Sequence, residues 1–285
     1  MIPYTKLNSQ GNDFILVEKK DLSAPLTNDQ IKHYSNRNKI GCDQFFIIDT
    51  ERLDKIYCHV FNQDGTKACQ CGNGLRASML YLHKKYKLSK TDFIVCDKSY
   101  NAEIKNETIS VTMGVPSYID NTEDIDQKKY SVKKDGIIIN LKCLEDDLGF
   151  SYIPLSIGNN HCVVLSRNCF AHKDQICKII NELYHSTMNI GFIENAMDFL
   201  NDSKLAINLI VNEKGAGYTD SCGSGATAAA ICLFKLYELN NETKVHNSKI
   251  KVNQKGGTLE VDKHYDPDVF ILTGPSSLDG EGFLD

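Results

Sequence analysis

Two short segments repeat one pattern, Cys-Gly-x-Gly followed by an apolar run: Cys71-Gly72-Asn73-Gly74-Leu75-Arg76-Ala77 and Cys222-Gly223-Ser224-Gly225-Ala226-Thr227-Ala228. A polar residue stands nine positions before each cysteine, Asn62 in one half and Glu213 in the other. A glycine-containing turn follows each (Asp64-Gly65; Gly215-Ala216-Gly217). A cysteine at the start of a helix meets unpaired backbone N–H groups and the positive end of the helix dipole, which can pull a thiol pKa below its free value. The glycines let the backbone approach a ligand closely, and the N–H groups can hold a carboxylate. A lone copy reads as a tight strand-to-helix turn with a buried thiol. A matched pair reads as two thiols flanking one ligand. That arrangement suits inversion at a carbon bearing an acidic hydrogen: one thiolate removes the α-proton and the opposite thiol delivers another to the other face. Preorganised N–H donors would then stabilise the enolate charge.

The elements that must position these groups are mostly strands. Apolar stretches with strand character occur at Phe14–Val17, Phe45–Ile48, Ile56–Phe61, Phe93–Cys96, Ile109–Met113, Ile137–Cys143, Cys162–Leu165, Leu205–Val211, Ile250–Val252 and Val269–Leu272. Ile109, Val111 and Met113 alternate with Ser110 and Thr112, the two-residue period of a half-buried strand. Gly256-Gly257 reads as a hairpin turn. Helices are expected at Gln30–Asn36, Leu75–Tyr86, Gln175–His185 and Ala226–Leu239. Strands outnumber helices without the one-to-one alternation of a doubly wound sheet, which points to an α+β arrangement. Ala226 to Tyr237 is apolar almost all round and alanine-rich, as in a helix buried on every side. Two halves with the same element suggest duplicated domains facing one another. The polar stretch Asp120–Asp135 reads as a surface connection at their boundary.

Composition narrows the class. The chain has 285 residues, 41% hydrophobic and 24% charged, a balance that supplies real cores. Its net charge of −5 argues against a nucleic-acid footprint or a polybasic membrane patch. The longest apolar run, Ala228 to Phe234, is far short of a membrane span, and no secretory signal is visible at Met1-Ile2-Pro3-Tyr4-Thr5-Lys6. A cytoplasmic location is therefore expected. The eleven cysteines are odd in number, no Cys-x2-Cys pair occurs, and Cys69-Gln70-Cys71 has no second pair to complete a zinc clip. A disulfide framework is not expected, and cysteines other than 71 and 222 are expected to pack as small hydrophobes, with Cys69 a spectator.

Nearly end to end, the chain resembles the diaminopimelate epimerases. The segments that carry the likeness include Gly11-Asn12-Asp13-Phe14, Gly41-Cys42-Asp43-Gln44, Phe61-Asn62-Gln63-Asp64-Gly65 and Cys71-Gly72-Asn73-Gly74-Leu75-Arg76. Later come Gly158-Asn159-Asn160-His161, Asn189-Ile190-Gly191-Phe192, Glu213-Lys214-Gly215-Ala216-Gly217, Cys222-Gly223-Ser224-Gly225-Ala226 and Thr273-Gly274-Pro275. The resemblance implies a cofactor-free interconversion of LL- and meso-diaminopimelate, serving lysine and cell-wall synthesis, with no metal. Cys71 and Cys222 would be the base and acid pair, exchanging roles with the direction of reaction, and His161 and Glu213 would tune them. Gly72, Asn73, Gly223 and Ser224 would cradle the carboxylate at the reacting centre. Asn12, Gln44, Asn62, Asn159 and Asn189 would bind the substrate, and Glu213 and Lys214 would grip its distant end. The implied fold has two pseudo-symmetric domains, each a mostly antiparallel strand barrel around a central helix, with the site in the cleft between them. Residues 1–118 with 266–285 would form one domain and 119–265 the other, the last strand returning to the first domain.

Several positions depart from the family pattern. Lys214 replaces an arginine, exchanging a planar two-pronged donor for a mobile point charge. Tyr218 stands in place of a glutamate, Asn160 in place of a proline, and Asn8-Ser9-Gln10 in place of His-Gly-Leu. Gly280 falls where the family carries a tyrosine that supports its dimer, so a homodimer is left open. Two other readings stay open: an epimerase or racemase of the same fold for another amino acid, and a non-catalytic ligand-binding or redox-sensing relative.

Overall fold

In a computed structural model, residues 1–166, 169–194, 196, 206–241, 249–265 and 268–285 are described. The chain divides into two units, Met1–Met113 with Ile271–Asp285, and Gly114–Phe270. The expected boundaries stood at 118/119 and 265/266; Asp266 lies outside the described residues, as does Leu205.

The first unit opens with the hairpin β1 (Ile2–Ser9) and β2 (Asn12–Glu18), joined through Gln10-Gly11, both with positive φ. Helix α1 (Asn28–Ser35) starts at a capping box in which Thr27 and Gln30 exchange side-chain and backbone hydrogen bonds. It carries the chain to β3 (Gln44–Asp49), parallel to β2, and then to antiparallel β4 (Lys55–Asn62) and β5 (Lys67–Ala68). Helix α2 (Gly72–Tyr86) crosses over to β6 (Lys90–Val95), parallel to β4, and the antiparallel strands β7 (Lys98–Lys105) and β8 (Thr108–Gly114) complete the run.

The second unit begins with β9 (Ser117–Tyr118), β10 (Tyr130–Asp135) and β11 (Ile138–Cys143), and then repeats the first. Strands β12 (Gly149–Ser156) and β13 (Asn160–Val164) form the hairpin, and α3 (Lys173–Leu183) leads to β14 (Asn189–Ile193), parallel to β13. Antiparallel β15 (Ala206–Glu213) and β16 (Gly217–Thr219) follow. Helix α4 (Gly223–Asn241) crosses to β17 (Lys249–Gln254), parallel to β15, and β18 (Gly257–Tyr265) pairs antiparallel with β17. The chain then leaves through β19 (Asp268–Gly274), which pairs with β8, and β20 (Ser277–Leu284), which pairs antiparallel with β1. The duplication read from two short motifs thus extends to the strand directions of β1–β7 and β12–β18 and to the crossover helices between them.

In each unit the sheet encloses one helix. Strands β1, β2, β6, β7 and β20 pack on α2, and β12–β15, β17 and β18 pack on α4. Residues 223–234 of α4 are buried without interruption, as the small, apolar, alanine-rich sequence requires of a helix with no solvent face. Among the described residues no helix is long and apolar enough to cross a membrane.

Some expectations need correction. Asp120–Asp135 is not all connection, since Tyr130–Asp135 is β10 and pairs in full register with β11. The second hairpin turns at Lys255-Gly256 rather than Gly256-Gly257, because Gly257 already pairs with Gln254. Cys69 and Cys96 are not spectators. They form a disulfide with a Cα–Cα distance of 5.3 Å. Cys96 does not pack in the core because β6 ends at Val95, and Cys96-Asp97, both at positive φ, make the two-residue turn into β7. That turn is thereby joined to the segment two residues ahead of Cys71.

Candidate active site

Both motif cysteines cap a buried helix. Cys71 is the N-cap of α2, and its Sγ accepts from the Gly74 N–H at 3.3 Å; Cys222 stands before α4, and its Sγ accepts from the Gly225 N–H, also at 3.3 Å. The first main-chain helix bonds start from the same carbonyls, Leu75 N–H to Cys71 and Ala226 N–H to Cys222. Neither helix carries an acidic residue in its first turn, so its positive end is not neutralised by its own side chains. The second glycine of each motif serves packing, not ligand approach. A Cβ on Gly74 would lie 2.1 Å from Phe46 Cζ, and one on Gly225 would lie 2.8 Å from Val211 Cγ2.

In the first unit, parallel and antiparallel register set Phe14, Gln44 and Asn62 side by side across β2, β3 and β4. Gln44 donates to Asn62 Oδ1 (3.1 Å), and Asn62 donates in turn to Thr66 Oγ1 (3.0 Å). Asn12 Nδ2 donates to Asp43 (2.8 Å), and Asn73 Nδ2 donates to Asn12 Oδ1 (3.4 Å). Asn12, Asn73 and Cys71 are therefore held in one patch with Gly72, beside the Gln44–Asn62 pair.

The second unit places His161, Asn189 and Glu213 at the same three register positions on β13, β14 and β15, Glu213 standing one step beyond the Ile190–Asn212 pair. Asn189 Nδ2 donates to the Asn160 carbonyl (3.1 Å), and its Oδ1 accepts from the Lys214 N–H (3.0 Å). Thr219 donates to Glu213. Asn159 is half-buried in the β12–β13 turn, where its carbonyl accepts from Ile157, and the Lys214 side chain is exposed. Ser224 Oγ lies 3.6 Å from Cys222 Sγ.

Burial governs the second thiol. Cys222 is not lowered as the helix end alone suggests: burial drives its pKa well above the ordinary thiol value, and the neighbouring Glu213 carboxylate adds to the rise. His161 is buried, and among the described residues neither ring nitrogen has a hydrogen-bond partner; burial pulls its pKa down to about 3, so the imidazole is neutral.

Four supporting residues were not foreseen. Ser9 Oγ donates to the Asn73 carbonyl (2.9 Å), Asp43 orients Asn12, and Arg76 donates to Asn73 Oδ1 (2.7 Å). Gln254 brackets Cys222, accepting from its N–H (2.8 Å) and donating to its carbonyl (3.3 Å). Arg76 alone left a signal, a cation in the early turns of a helix whose dipole opposes it. Among the described residues no group of three or more His, Cys, Asp or Glu could hold a metal ion.

The family model for diaminopimelate epimerase matches residues 4–119. The diaminopimelate epimerase of Legionella pneumophila (strain Lens) is 33% identical over 298 residues, covering 99% of both chains. The chain belongs to the diaminopimelate epimerase family. The enzyme of that name from Buchnera aphidicola subsp. Baizongia pistaciae is 31% identical, covering 99% of this chain and 96% of its own. Solved structures extend the fold beyond the family. A predicted epimerase from Pseudomonas aeruginosa superposes with a TM-score of 0.68 at 11% identity, covering 100% of this chain and 99% of its own. A hydroxyproline epimerase from Agrobacterium vitis, with trans-4-hydroxy-L-proline bound, gives 0.65 at 9% identity, covering 99% of this chain and 91% of its own. Against the family pattern, Tyr218 occupies its glutamate position by donating to Asp174 (2.7 Å), and Gly280 lies in β20 with open space where a Cβ would project.

Proposed function

We propose that the chain interconverts LL- and meso-diaminopimelate without a cofactor, as an isomerase whose two proton carriers are Cys71 and Cys222. The observation that carries this reading is the repeated thiol-capped helix start, found at register-equivalent places in both units of a chain 33% identical to a diaminopimelate epimerase over nearly its whole length. The chemistry requires each thiol to reach one face of the same α-carbon. The Cα–H bond breaks as an S–H bond forms on one cysteine, and the S–H of the other breaks as a new Cα–H forms, so protons and charge balance without a redox step. The α-carboxylate binds the first-turn N–H groups of Gly72-Asn73 and Gly223-Ser224, which also meet the enolate charge as it develops. Asn12, Gln44, Asn62, Asn159 and Asn189 orient the substrate, and Glu213 with Lys214 takes its distant end. His161, a neutral imidazole, tunes the second thiol together with Glu213.

The deciding experiment follows reduced protein with LL-diaminopimelate in D2O by NMR. Deuterium entering at the α-carbon together with formation of the meso isomer is expected. No exchange with this substrate, or exchange with single-centre amino acids instead, overturns the assignment. Cys71→Ala and Cys222→Ala are each expected to abolish inversion, since each face needs its own proton carrier. Near-normal turnover in either variant rules out the two-thiol mechanism.

A further inference from the structure

Arg76 is the largest fully buried side chain among the described residues. Its Nη1 donates to the Pro275 carbonyl (2.9 Å) and its Nη2 to Asn73 Oδ1 (2.7 Å), while its buried Nε has no partner among the described residues. Among the described residues no carboxylate pairs with it. A cation held this way is strongly unfavourable unless some other charge compensates it, and its place near the N-terminus of α2 sets it against the dipole. Burial lowers its pKa to about 10, so it stays charged at neutral pH, and the interaction opposing that fall is with Cys71. Cys58, a buried thiol on β4, also faces Cys71; burial raises its pKa, so it stays neutral.

The second copy of the motif inverts this arrangement. Thr227 replaces the arginine, five residues after Cys222, and only donates to the Gly223 carbonyl (2.9 Å). Glu213 replaces the neutral Asn62 and sits against Cys222. One thiol caps the helix that carries a buried cation five residues on, and the other has an anion beside it.

We infer that Arg76 is a positioning residue for Cys71, supplying the buried counter-charge that holds this cysteine as the thiolate at rest and clamping the Asn73 amide, so that the first unit carries the base and the second the protonated thiol. This rests on reading Cys71 and Cys222 as the proton carriers. The resting enzyme then accepts the substrate α-proton at Cys71 Sγ while the Cys222 S–H donates to the other face; after product leaves, Cys71 loses its proton to solvent and Cys222 takes one up, which restores the resting state.

The test titrates the ultraviolet absorbance of the thiolate, taking Cys71 as the difference between the wild type and Cys71→Ala, and Cys222 as the difference from Cys222→Ala. Cys71 is expected to ionise at lower pH than Cys222. Arg76→Met is expected to raise the Cys71 midpoint by about one unit or more, a tenfold change in ionisation, leaving that of Cys222 in place; Arg76→Lys restores most of it. The same Arg76→Met change lowers kcat more than it raises KM. A folded Arg76→Met protein with an unmoved Cys71 midpoint overturns the inference. If that variant does not fold, the wild-type order decides: Cys71 ionising at or above Cys222 overturns it, and below supports it. None of these titrations needs turnover, so failure of the epimerase reading shows separately as absent α-deuterium exchange.

Discussion

At the scale of the residue, His161 makes the most direct pH prediction. Its imidazole is buried and neutral, with a pKa pulled down to about 3 by burial, whereas the unfolded chain takes up a proton near the ordinary value of 6.5. Below that pH the unfolded state binds more protons than the native one. Stability therefore falls as pH drops from 6.5 toward 3, by up to about 1.4 kcal/mol per unit. Urea unfolding of His161→Phe against wild type at pH 7 and pH 4.5 checks this: the gap should move in favour of the variant at the lower pH. The cysteines, Asn62 and Glu213 were legible from the sequence because their spacing repeats, and the β-sheet register then turns equal spacing into equal place. Ser9, Asp43 and Gln254 were not. Each acts on a residue 31 to 64 positions away, a relation no local pattern records.

At the scale of the element, the helix starts are set by close packing. The Gly74 Cα faces the Phe46 ring with no room for a methyl group, so Gly74→Ala should destabilise the first unit by about 1–3 kcal/mol through overpacking. Chemical denaturation measures the loss, and relief in a Gly74→Ala, Phe46→Leu double variant identifies the clash as its source. Helices α1 to α4 were legible to within a few residues because each carries an apolar or small-residue signature. Several strands were not. β1 buries Thr5, Leu7 and Ser9 on its inner face, so its alternation is hidden by two polar residues. β12 carries Pro154 within a strand paired on both sides, and β20 is almost wholly exposed and glycine-rich. For these strands the partner supplies the strand state, and intrinsic preference does not.

For the whole molecule, the notable asymmetry is that the second unit is one continuous segment and the first is not. Leu284 of β20 is fully buried among Ile15, Val17, Ile31 and Phe45, and β20 pairs along the length of β1. Removing residues 275–285 should therefore expose β1 and open the first unit while the second stays folded. Hydrogen exchange read peptide by peptide should lose protection in β1 and β2 and keep it in β12–β15. The duplication was visible in the sequence at only two motifs; the remaining correspondence lies in strand direction and crossover, which diverged sequences preserve without any shared residue.

The same strand carries a consequence for biosynthesis. A ribosome makes β1 first, yet β1 must wait for β20 before its edge is paired and Leu284 fills the space beneath α1. The later-made unit has all its own strands through β18 in hand sooner, so the order in which the halves mature runs opposite to the order in which they begin. Through that interval β1 is an unpaired edge, and its sequence suits the wait. Pro3 removes one donor from that edge, and Lys6, paired with Asp13 in the folded unit, puts a charge on the strand, so the edge offers less to a passing strand until the right one arrives.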